Sequence, residues 1–381
     1  MSTRNILDIP TKLAELKDRF AKHGFELWFV GGCVRDSLMG VQPKDIDLTT
    51  SATPEEAIAI YRLYEYSYHE TGLQHGTITV VLDHVPYEIT TYRIDAETDG
   101  RHASVVYTRD LYQDLFRRDL TMNAIAMGFD GEIFDPFGGV DDIEANLVRF
   151  VGNAEDRLRE DYLRILRWFR FYGRFGAGKA GADEEAFDAI KAAAPGLKQI
   201  SVERVWSEVS KIIAGPHGIQ IMDMMQGMGV AEIIGLPAEG NNLFLNTARG
   251  VSRNPAFLMA AYYGEKVTSI ASRWKWSNDE RQAARFLIDR NYFTYSLAEA
   301  KRDVLEGRSR ELASGMLRMR RRADEAAMVD SWVVPAFPVS GQDLIAQGMV
   351  PGPEMGQRIK TLREQWIASD YTLSKSDMIG V

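Results

Sequence analysis

Two aspartates, Asp45 and Asp47, follow a hydrophobic segment that ends in Gly31 and Gly32 and continues into Arg35. Because side chains alternate along an extended segment, the carboxylates of Asp45 and Asp47 are expected on one face. A hard divalent cation stabilises such a pair of like charges, and Mg²⁺ that carries substrate phosphates is the most common one. Glycines that allow close backbone approach are typical of phosphate sites. The segment therefore predicts a metal-dependent site for a nucleoside triphosphate.

Each of these elements alone is weak evidence, because a Gly-Gly turn or an Asp-x-Asp pair is usually a structural turn or a solvated strand end. Together they form one unit of strand, turn, helix and acidic strand, which strengthens the metal-site interpretation. Glu88 lies on a later predicted strand. If the sheet brings Glu88 beside Asp45 and Asp47, it is a third carboxylate near the metal. Otherwise it is a solvated strand residue.

A second polar group, from Arg117 to Asn123, is expected just before a helix. Arg117 and Arg118 could bind a triphosphate, and the side chains of Asp119 and Asn123 can hydrogen-bond ribose hydroxyls. An isolated Arg-Arg-Asp sequence is more often a solvated cap. The glycine turn and the acidic pair earlier in the chain favour the nucleotide-binding interpretation.

A third group consists of Asp161, Arg164, Arg167 and Arg170, which recur every three residues in a predicted helix over 160–171 and so share one face. One interpretation is an ordinary helical salt bridge worth a few tenths of a kcal/mol. The other is base recognition. A carboxylate can accept from the amino group that cytosine and adenine share, and a guanidinium can donate to their ring acceptors. Together these two groups would accept C and A and reject G and U.

The elements that must position these residues are those of a small mixed sheet with helices. The predicted elements are a helix over 12–23, a strand over 26–30, a helix that opens at Thr53 and Pro54, and strands over 76–82 and 87–92. The stretch 93–117 is polar and contains glycine, which predicts a functional loop.

The bulk composition is that of a globular chain of 381 residues with room for two or three domains. The single cysteine, Cys33, excludes an internal disulfide and a multi-cysteine zinc site, and it fits a reducing cytoplasm. Early acidic residues argue against a signal or transit peptide. The net charge of −9 means that any RNA surface must be a local basic patch. The best patch, with a solvated helix face as its alternative, consists of Arg318, Arg320, Arg321 and Arg322.

The glycine turn with Arg35, Asp36, Asp45 and Asp47 resembles motif A of the class II tRNA nucleotidyltransferases and bacterial poly(A) polymerases. Segments similar to motifs B to E follow in order at 117–124, 135–142, 160–164 and 201–208. This resemblance implies an α+β fold. It implies a polymerase-β-like nucleotidyltransferase head with a small mixed sheet, followed by an all-α neck, body and tail. The implied bounds are 1–140 for the head, 141–215 for the neck with its base-reading helix, and 216–381 for the tRNA-binding body and tail.

The resemblance also implies roles for the site residues. Asp45 and Asp47 would hold two Mg²⁺ ions, with Glu88 as a further catalytic carboxylate. The implied nucleotide contacts are Gly32, Arg35, Arg118, Asp119, Asn123, Asp161, Arg164, Arg167 and Arg170. Among these, Asp161 and Arg164 would read the incoming base.

The implied activity is template-independent addition of C, C and A to the 3′ end of tRNA from CTP and ATP, with release of pyrophosphate. The segment 75–80, the long stretch 99–119 and the lack of a strongly basic tail favour CCA addition. A poly(A) polymerase of the same family and a catalytically silent RNA-binding relative stay open. The expected partners are tRNA, at its 3′ end and its acceptor and elbow region, and the two nucleotides. We expect a cytoplasmic monomer without membrane contact.

Overall fold

The computed structural model describes residues 7–95, 105–177 and 183–380. The chain divides into two compact units, Met1–Leu236 and Pro237–Val381. No helix in the described part is long and apolar enough to cross a membrane. Residues 96–104, which belong to the predicted loop over 93–117, lie outside the described residues.

The described residues of the first unit form nine short strands. They are β1 (Leu27–Val30), β2 (Asp47–Thr50), β3 (Ser67–Gly72), β4 (Thr77–Leu82), β5 (Val85–Thr91), β6 (Arg93–Asp95), β7 (Val105–Tyr107), β8 (Ala126–Met127) and β9 (Ile133–Phe134). Seven of them form one sheet in the order β3-β4-β5-β2-β1-β8-β9, and β6 pairs with β7 separately. Only β2 and β5 are parallel neighbours among the described strands. The sheet is therefore mixed, as the sequence predicted.

Eleven α-helices complete the part of the first unit that the structure describes. They are α1 (Thr11–Lys22), α2 (Gly32–Leu38), α3 (Pro54–Leu63), α4 (Leu111–Phe116), α5 (Gly139–Ala145), α6 (Ala154–Glu160), α7 (Leu163–Phe171), α8 (Glu184–Ala193), α9 (Val202–Ala214), α10 (Gly218–Gly227) and α11 (Val230–Ile233). The described residues after β9 form no further strand. The α+β fold class is thus confirmed.

The local signals for the helices of the head are those read from the sequence. The Thr53 hydroxyl accepts from the backbone N–H of Glu56, whose carboxylate accepts from the N–H of Thr53, and Pro54 occupies the first helical position of α3. Such a capping box satisfies two backbone donors that would otherwise lack partners. In α1 the apolar face of Leu13 and Phe20 is fully buried in the core against the sheet.

The stretch 93–117, predicted as a functional loop, contains regular secondary structure on both sides of residues 96–104. Residues 93–95 and 105–107 pair as β6 and β7, and α4 begins at Leu111, where the carboxylate of Asp110 caps the N–H of Tyr112. Arg117 and Arg118 consequently follow α4, and a short 3₁₀ helix over Thr121–Asn123 comes after them. The β-branched and aromatic residues of β7 and the cap at Asp110 are the signals that the polar composition concealed.

The described part of the second unit contains helices and no strand. They are α12 (Asn242–Arg249), α13 (Pro255–Tyr263), α14 (Val267–Arg273), α15 (Asn278–Ile288), α16 (Leu297–Leu305), α17 (Arg310–Met319), α18 (Ala323–Ser331), α19 (Gly341–Ala346), α20 (Pro353–Ala368) and α21 (Lys375–Ile379). The last three pack around a core that contains Leu344, Leu362 and Trp366.

Replacement of Gly139 by alanine is expected to destabilise the first unit by about 2 kcal/mol, because a Cβ there would lie 2.3 Å from the carbonyl oxygen of Thr121. At Gly227 no atom lies within 4 Å of the added Cβ, so Gly227→Ala is the matched control. It should leave stability unchanged or raise it by up to about 1 kcal/mol. Urea unfolding of both variants provides the comparison. Equal midpoints would contradict the packing of α5 against the turn at Thr121.

Candidate active site

A cleft of about 620 Å³ opens in the first unit between the ends of β1, β2 and β5 and the helix α7. It brings together most of the predicted site residues. These are Gly32, Arg35, Asp47, Glu88, Arg118, Asp119, Asn123, Asp161, Arg164 and Arg167. Asp45 and Arg170 are absent from the described residues that line it. Arg93, Arg117 and Phe171 line it as well, and of these three the sequence indicated only Arg117, as a possible triphosphate contact.

The glycine turn fits closely against an arginine. Gly31 has φ +72°, a left-handed conformation that favours glycine, and a Cβ there would lie 2.8 Å from Nη1 of Arg118. The Cys33 thiol, just inside α2, is buried and donates to the carbonyl oxygens of Val30 and Asp47. Its burial raises the pKa of the thiol, which suits a small buried residue better than a nucleophile. The turn therefore brings backbone and guanidinium together at the floor of the cleft.

Two carboxylates meet at the parallel pair of strands. Asp47 is the first residue of β2 and lies in register with Glu88 on β5. Desolvation raises the pKa of Asp47, the nearby charge of Glu88 raises it further, and Arg118 opposes both. The sheet thus places Glu88 beside Asp47, one of the two arrangements that the sequence left open.

Asp45 lies in an exposed bend before β2, so it is not part of the strand that carries Asp47. Its charge nevertheless contributes to the raised pKa of Asp47. Among the described residues no group of three or more His, Cys, Asp or Glu side chains is arranged to hold a metal ion. Mg²⁺ commonly uses only one or two protein carboxylates together with substrate phosphates. The pair of Asp47 and Glu88 matches that partial ligand set.

A buried polar network connects the sheet to α7. The Asn123 side-chain oxygen accepts from Arg35, and its amide donates to Asp119 at 3.2 Å. The second carboxylate oxygen of Asp119 accepts from Nε of Arg167 at 2.6 Å. Burial raises the pKa of Asp119, but Arg167 and these hydrogen bonds outweigh it, and the pKa lies below its ordinary value. Asp119 and Asn123 were predicted to bind ribose; in the structure their side chains bond to protein groups.

The segment predicted as one helix over 160–171 is broken at Asp161. This residue is extended (φ −153°, ψ 105°) and separates α6 from α7, so Asp161 and Arg164 do not share a helical face. The Asp161 carboxylate instead accepts from the N–H of Leu163 at 3.1 Å and from Arg204 of α9 at 2.7 Å. A short polar side chain that bonds to the backbone two residues ahead competes with helix formation, which explains the break.

Arg164 is buried and partly engaged. Its Nη1 donates to the carbonyl oxygen of Arg157 at 2.9 Å and to the carboxylate of Glu160, and its Nη2 donates to the carbonyl oxygen of Arg117 at 3.1 Å. A guanidinium has five N–H groups, so, as far as the described residues go, Nε and one N–H of Nη2 stay available to a ligand in the cleft.

Arg170 was predicted to bind the nucleotide, but it is not among the described residues that line the cleft. Its Nε donates to Glu208 of α9 at 2.6 Å, and its guanidinium lies over the ring of Phe171. The bond to Glu208 holds α7 against α9, next to the one between Arg204 and Asp161. A spacing of three residues does not distinguish Arg170 from Arg167. Because an α-helix has 3.6 residues per turn, side chains spaced by three gradually move around the helix and face different neighbours.

The basic patch of the second unit is largely engaged within that unit. Arg318 pairs with Asp330, Arg322 pairs with Glu325, and Arg320 donates to the carbonyl oxygen of Tyr295. Arg321 is exposed and has φ +61°. Three of the four arginines therefore have acceptors inside the protein.

Two family profiles match the chain. The one described as "Poly A polymerase head domain" matches residues 27–149, and the one described as "Probable RNA and SrmB- binding site of polymerase A" matches residues 182–237. The mitochondrial CCA tRNA nucleotidyltransferase 1 of Mus musculus is 38% identical over 97% of this chain and 89% of its own length. The chain belongs to the CCA tRNA nucleotidyltransferase family.

A second relative of this nucleotidyltransferase, the CCA-adding enzyme of Streptococcus pyogenes, is 33% identical over 96% of this chain and 94% of its own length. The crystal structure of the Bacillus stearothermophilus CCA-adding enzyme in complex with CTP matches with a TM-score of 0.77 and 28% identity. That match covers 96% of this chain and 94% of the other. The family, the nucleotidyltransferase fold and the enzyme class that the motifs predicted are confirmed.

Replacement of Asp47 by asparagine is expected to stabilise the metal-free nucleotidyltransferase at neutral pH. The folded-state pKa of Asp47 lies above its ordinary value, so its ionisation costs folding free energy. That cost is absent below the ordinary carboxyl pKa and grows as the pH rises through that value to the raised one. The melting temperatures of wild type and variant should therefore converge in acid, and the variant should melt higher at neutral pH.

Thermal denaturation in a metal chelator from about pH 4 to about pH 7 tests this. Asp188→Asn is the control, because the Asp188 side chain is 84% exposed. It should follow the wild type at every pH. A lower melting temperature for Asp47→Asn than for the wild type at neutral pH would contradict the raised pKa.

Proposed function

We propose that this nucleotidyltransferase adds C, C and A to the 3′ end of tRNA from CTP and ATP and releases pyrophosphate. The observation that carries the proposal is a single cleft that combines paired carboxylates, arginines and a carboxylate–guanidinium pair suited to a base edge. Poly(A) addition would use the same cleft. However, the relatives described above are CCA enzymes, and this chain matches them over nearly their whole length.

Arg118 is the group best suited to the triphosphate. Its Nε is buried and has no hydrogen-bond partner in the described part of the chain, although Nη2 is within 3.4 Å of Asp114. A buried guanidinium donor without an acceptor is costly unless a ligand supplies one. A phosphate oxygen accepts strongly from arginine, so nucleotide binding would satisfy this group. Gly32 and Arg35, on the same side of the cleft, are the further candidates for phosphate and ribose contacts.

Asp47 and Glu88 are the residues that would hold a divalent cation, with Asp45 as a further candidate at the edge. Their adjacency and the raised pKa of Asp47 support this, because a cation would relieve the repulsion between the carboxylates. When bound, Mg²⁺, as two ions in this proposal, supplies a lower pKa for the tRNA 3′-hydroxyl and charge stabilisation for the leaving pyrophosphate. The protein's own contribution is to orient the reacting groups and to place Arg118 where it opposes the rise in the pKa of Asp47.

Asp161 and Arg164 would read the incoming base. Arg204 and the N–H of Leu163 orient the Asp161 carboxylate, whose remaining acceptor sites can take the amino group of C or A. The two free N–H groups of Arg164 can donate to the ring acceptors of the same bases. Arg167, held by Asp119, fixes the position of α7 under the base. Guanine and uracil present a carbonyl oxygen where the amino group is needed, and two acceptors would then face each other.

The second unit would bind the tRNA, and Arg321 is the member of the basic patch best placed for phosphate contact. We also propose that the enzyme acts as a monomer. The cytoplasmic location that the single cysteine indicates stays a prediction, since the mouse relative is named as a mitochondrial enzyme.

A tRNA-extension assay tests the proposed function. Transcripts that end before CCA, before the second C and before the A are given Mg²⁺ with each nucleotide alone and then with CTP and ATP together. We expect two C and one A to be added, followed by a stop. Asp47→Ala should abolish the addition of both nucleotides while tRNA binding, measured by gel shift, stays close to that of the wild type.

A long A tail on any RNA would instead assign the chain to poly(A) synthesis. No incorporation by the wild type would indicate a silent RNA-binding relative. Wild-type turnover by Asp47→Ala would show that the metal assignment is wrong.

A further inference from the structure

Asp114 is a fully buried carboxylate in α4, one turn before the two arginines of motif B. An ionised carboxylate away from water is strongly destabilising unless several donors surround it. The groups that donate hydrogen bonds to Asp114 therefore indicate the role of this residue.

Two of these donors belong to the cleft. Oδ1 of Asp114 accepts from Nε and Nη2 of Arg117 at 3.0 and 2.9 Å. Oδ2 lies 3.4 Å from Nη2 of Arg118. Both arginines line the cleft, whereas Asp114 is not among the described residues that line it. One carboxylate thus holds two adjacent guanidinium groups that would otherwise repel each other.

Two further donors connect Asp114 to the strands beside the cleft. The hydroxyl of Thr49 on β2 lies 3.4 Å from Oδ2, and the backbone N–H of Arg93 at the start of β6 lies 3.3 Å from Oδ1. Thr49 is two residues from Asp47, so the same carboxylate ties the arginines to the strand that carries the predicted metal ligand.

Arg117 in turn is bonded to Arg164, one of the two residues proposed to read the base. The carbonyl oxygen of Arg117 accepts from Nη2 of Arg164 at 3.1 Å. Asp114 therefore lies at the junction of α4, β2, β6 and, through Arg117, α7.

We propose that Asp114 is the positioning residue for the triphosphate end of the incoming nucleotide. It fixes Arg117 and Arg118 at the cleft without touching substrate, and the inference rests on the proposed function that this cleft binds CTP and ATP. Arginine side chains lose considerable rotamer entropy when they bind phosphate, and a buried carboxylate that orients them beforehand removes part of that loss.

The test is Asp114→Asn, which keeps the shape of the side chain and removes its charge. The KM for CTP and the inhibition constant of inorganic pyrophosphate should both rise about tenfold, since misoriented arginines weaken phosphate binding. The inhibition constant of CMP should stay within about twofold of the wild type, because CMP lacks the β- and γ-phosphates that the arginines would hold. A purely structural role would change none of these constants selectively.

Asp303→Asn in the second unit is the matched control. Asp303 is likewise buried and accepts from Arg290 at 2.5 and 2.6 Å, so its loss should lower the melting temperature without changing the KM for CTP. Asp114→Glu is the second variant, because it keeps the charge if the asparagine variant does not fold. Its longer side chain should displace the arginines and raise the pyrophosphate constant selectively.

The two levels of the hypothesis fail differently. If the wild type incorporates neither C nor A, the proposed function fails and the inference fails with it. If the wild type is active and a folded Asp114 variant keeps the wild-type KM for CTP and pyrophosphate constant, only the inference fails. Equal weakening of CMP and CTP would also overturn it, because the effect would then not depend on the phosphates.

Discussion

The ion pair between Asp119 and Arg167 is the interaction on which the site depends. It joins the short turn after α4 to α7, at 2.6 Å and with Asp119 almost fully buried. A buried carboxylate needs several donors, and here Arg167, Asn123 and the backbone supply them. The ion pair therefore fixes the position of α7 relative to the sheet on the other side of the cleft. Loss of either partner would leave an unpaired buried charge and separate the two walls.

Around this pair the cleft retains groups that destabilise the free protein. Asp47 and Glu88 are neighbouring carboxylates, and Nε of Arg118 is buried without an acceptor in the described residues. A cation would relieve the repulsion between Asp47 and Glu88, and a phosphate oxygen would accept a hydrogen bond from Nε of Arg118. Such local costs are typical of functional sites, where the protein trades stability for a site that is ready for its ligand. A metal-bound triphosphate, the ligand proposed above, would satisfy both groups.

Much of this arrangement could be predicted from the sequence, because motif residues at fixed spacing in one strand–turn–helix unit must meet. Gly32, Asp47, Glu88 and Arg118 do line one cleft. The break at Asp161 could not be predicted from spacing, which shows neither the bond of its carboxylate to the N–H of Leu163 nor the one to Arg204, 43 residues away. The spacing of residues in the sequence also predicted more ligand-binding residues than the structure brings together.

Arg170 and three arginines of the basic patch illustrate that limit. Their acceptors, Glu208 for Arg170 and Asp330 for Arg318, come from segments 38 and 12 residues away, which a local pattern does not indicate. Asp114 illustrates the opposite error. It carries no special spacing, and only the fold reveals that one buried carboxylate contacts two arginines of the cleft.

The most direct test of these site assignments is a crystal structure with CTP and Mn²⁺. Mn²⁺ is used because it can replace Mg²⁺ and scatters anomalously. The account predicts an anomalous peak beside Asp47 and Glu88, a triphosphate against Arg118, and a cytosine edge that faces Asp161 and Arg164. Binding of CTP outside this cleft, or a cytosine edge in contact with neither Asp161 nor Arg164, would contradict it.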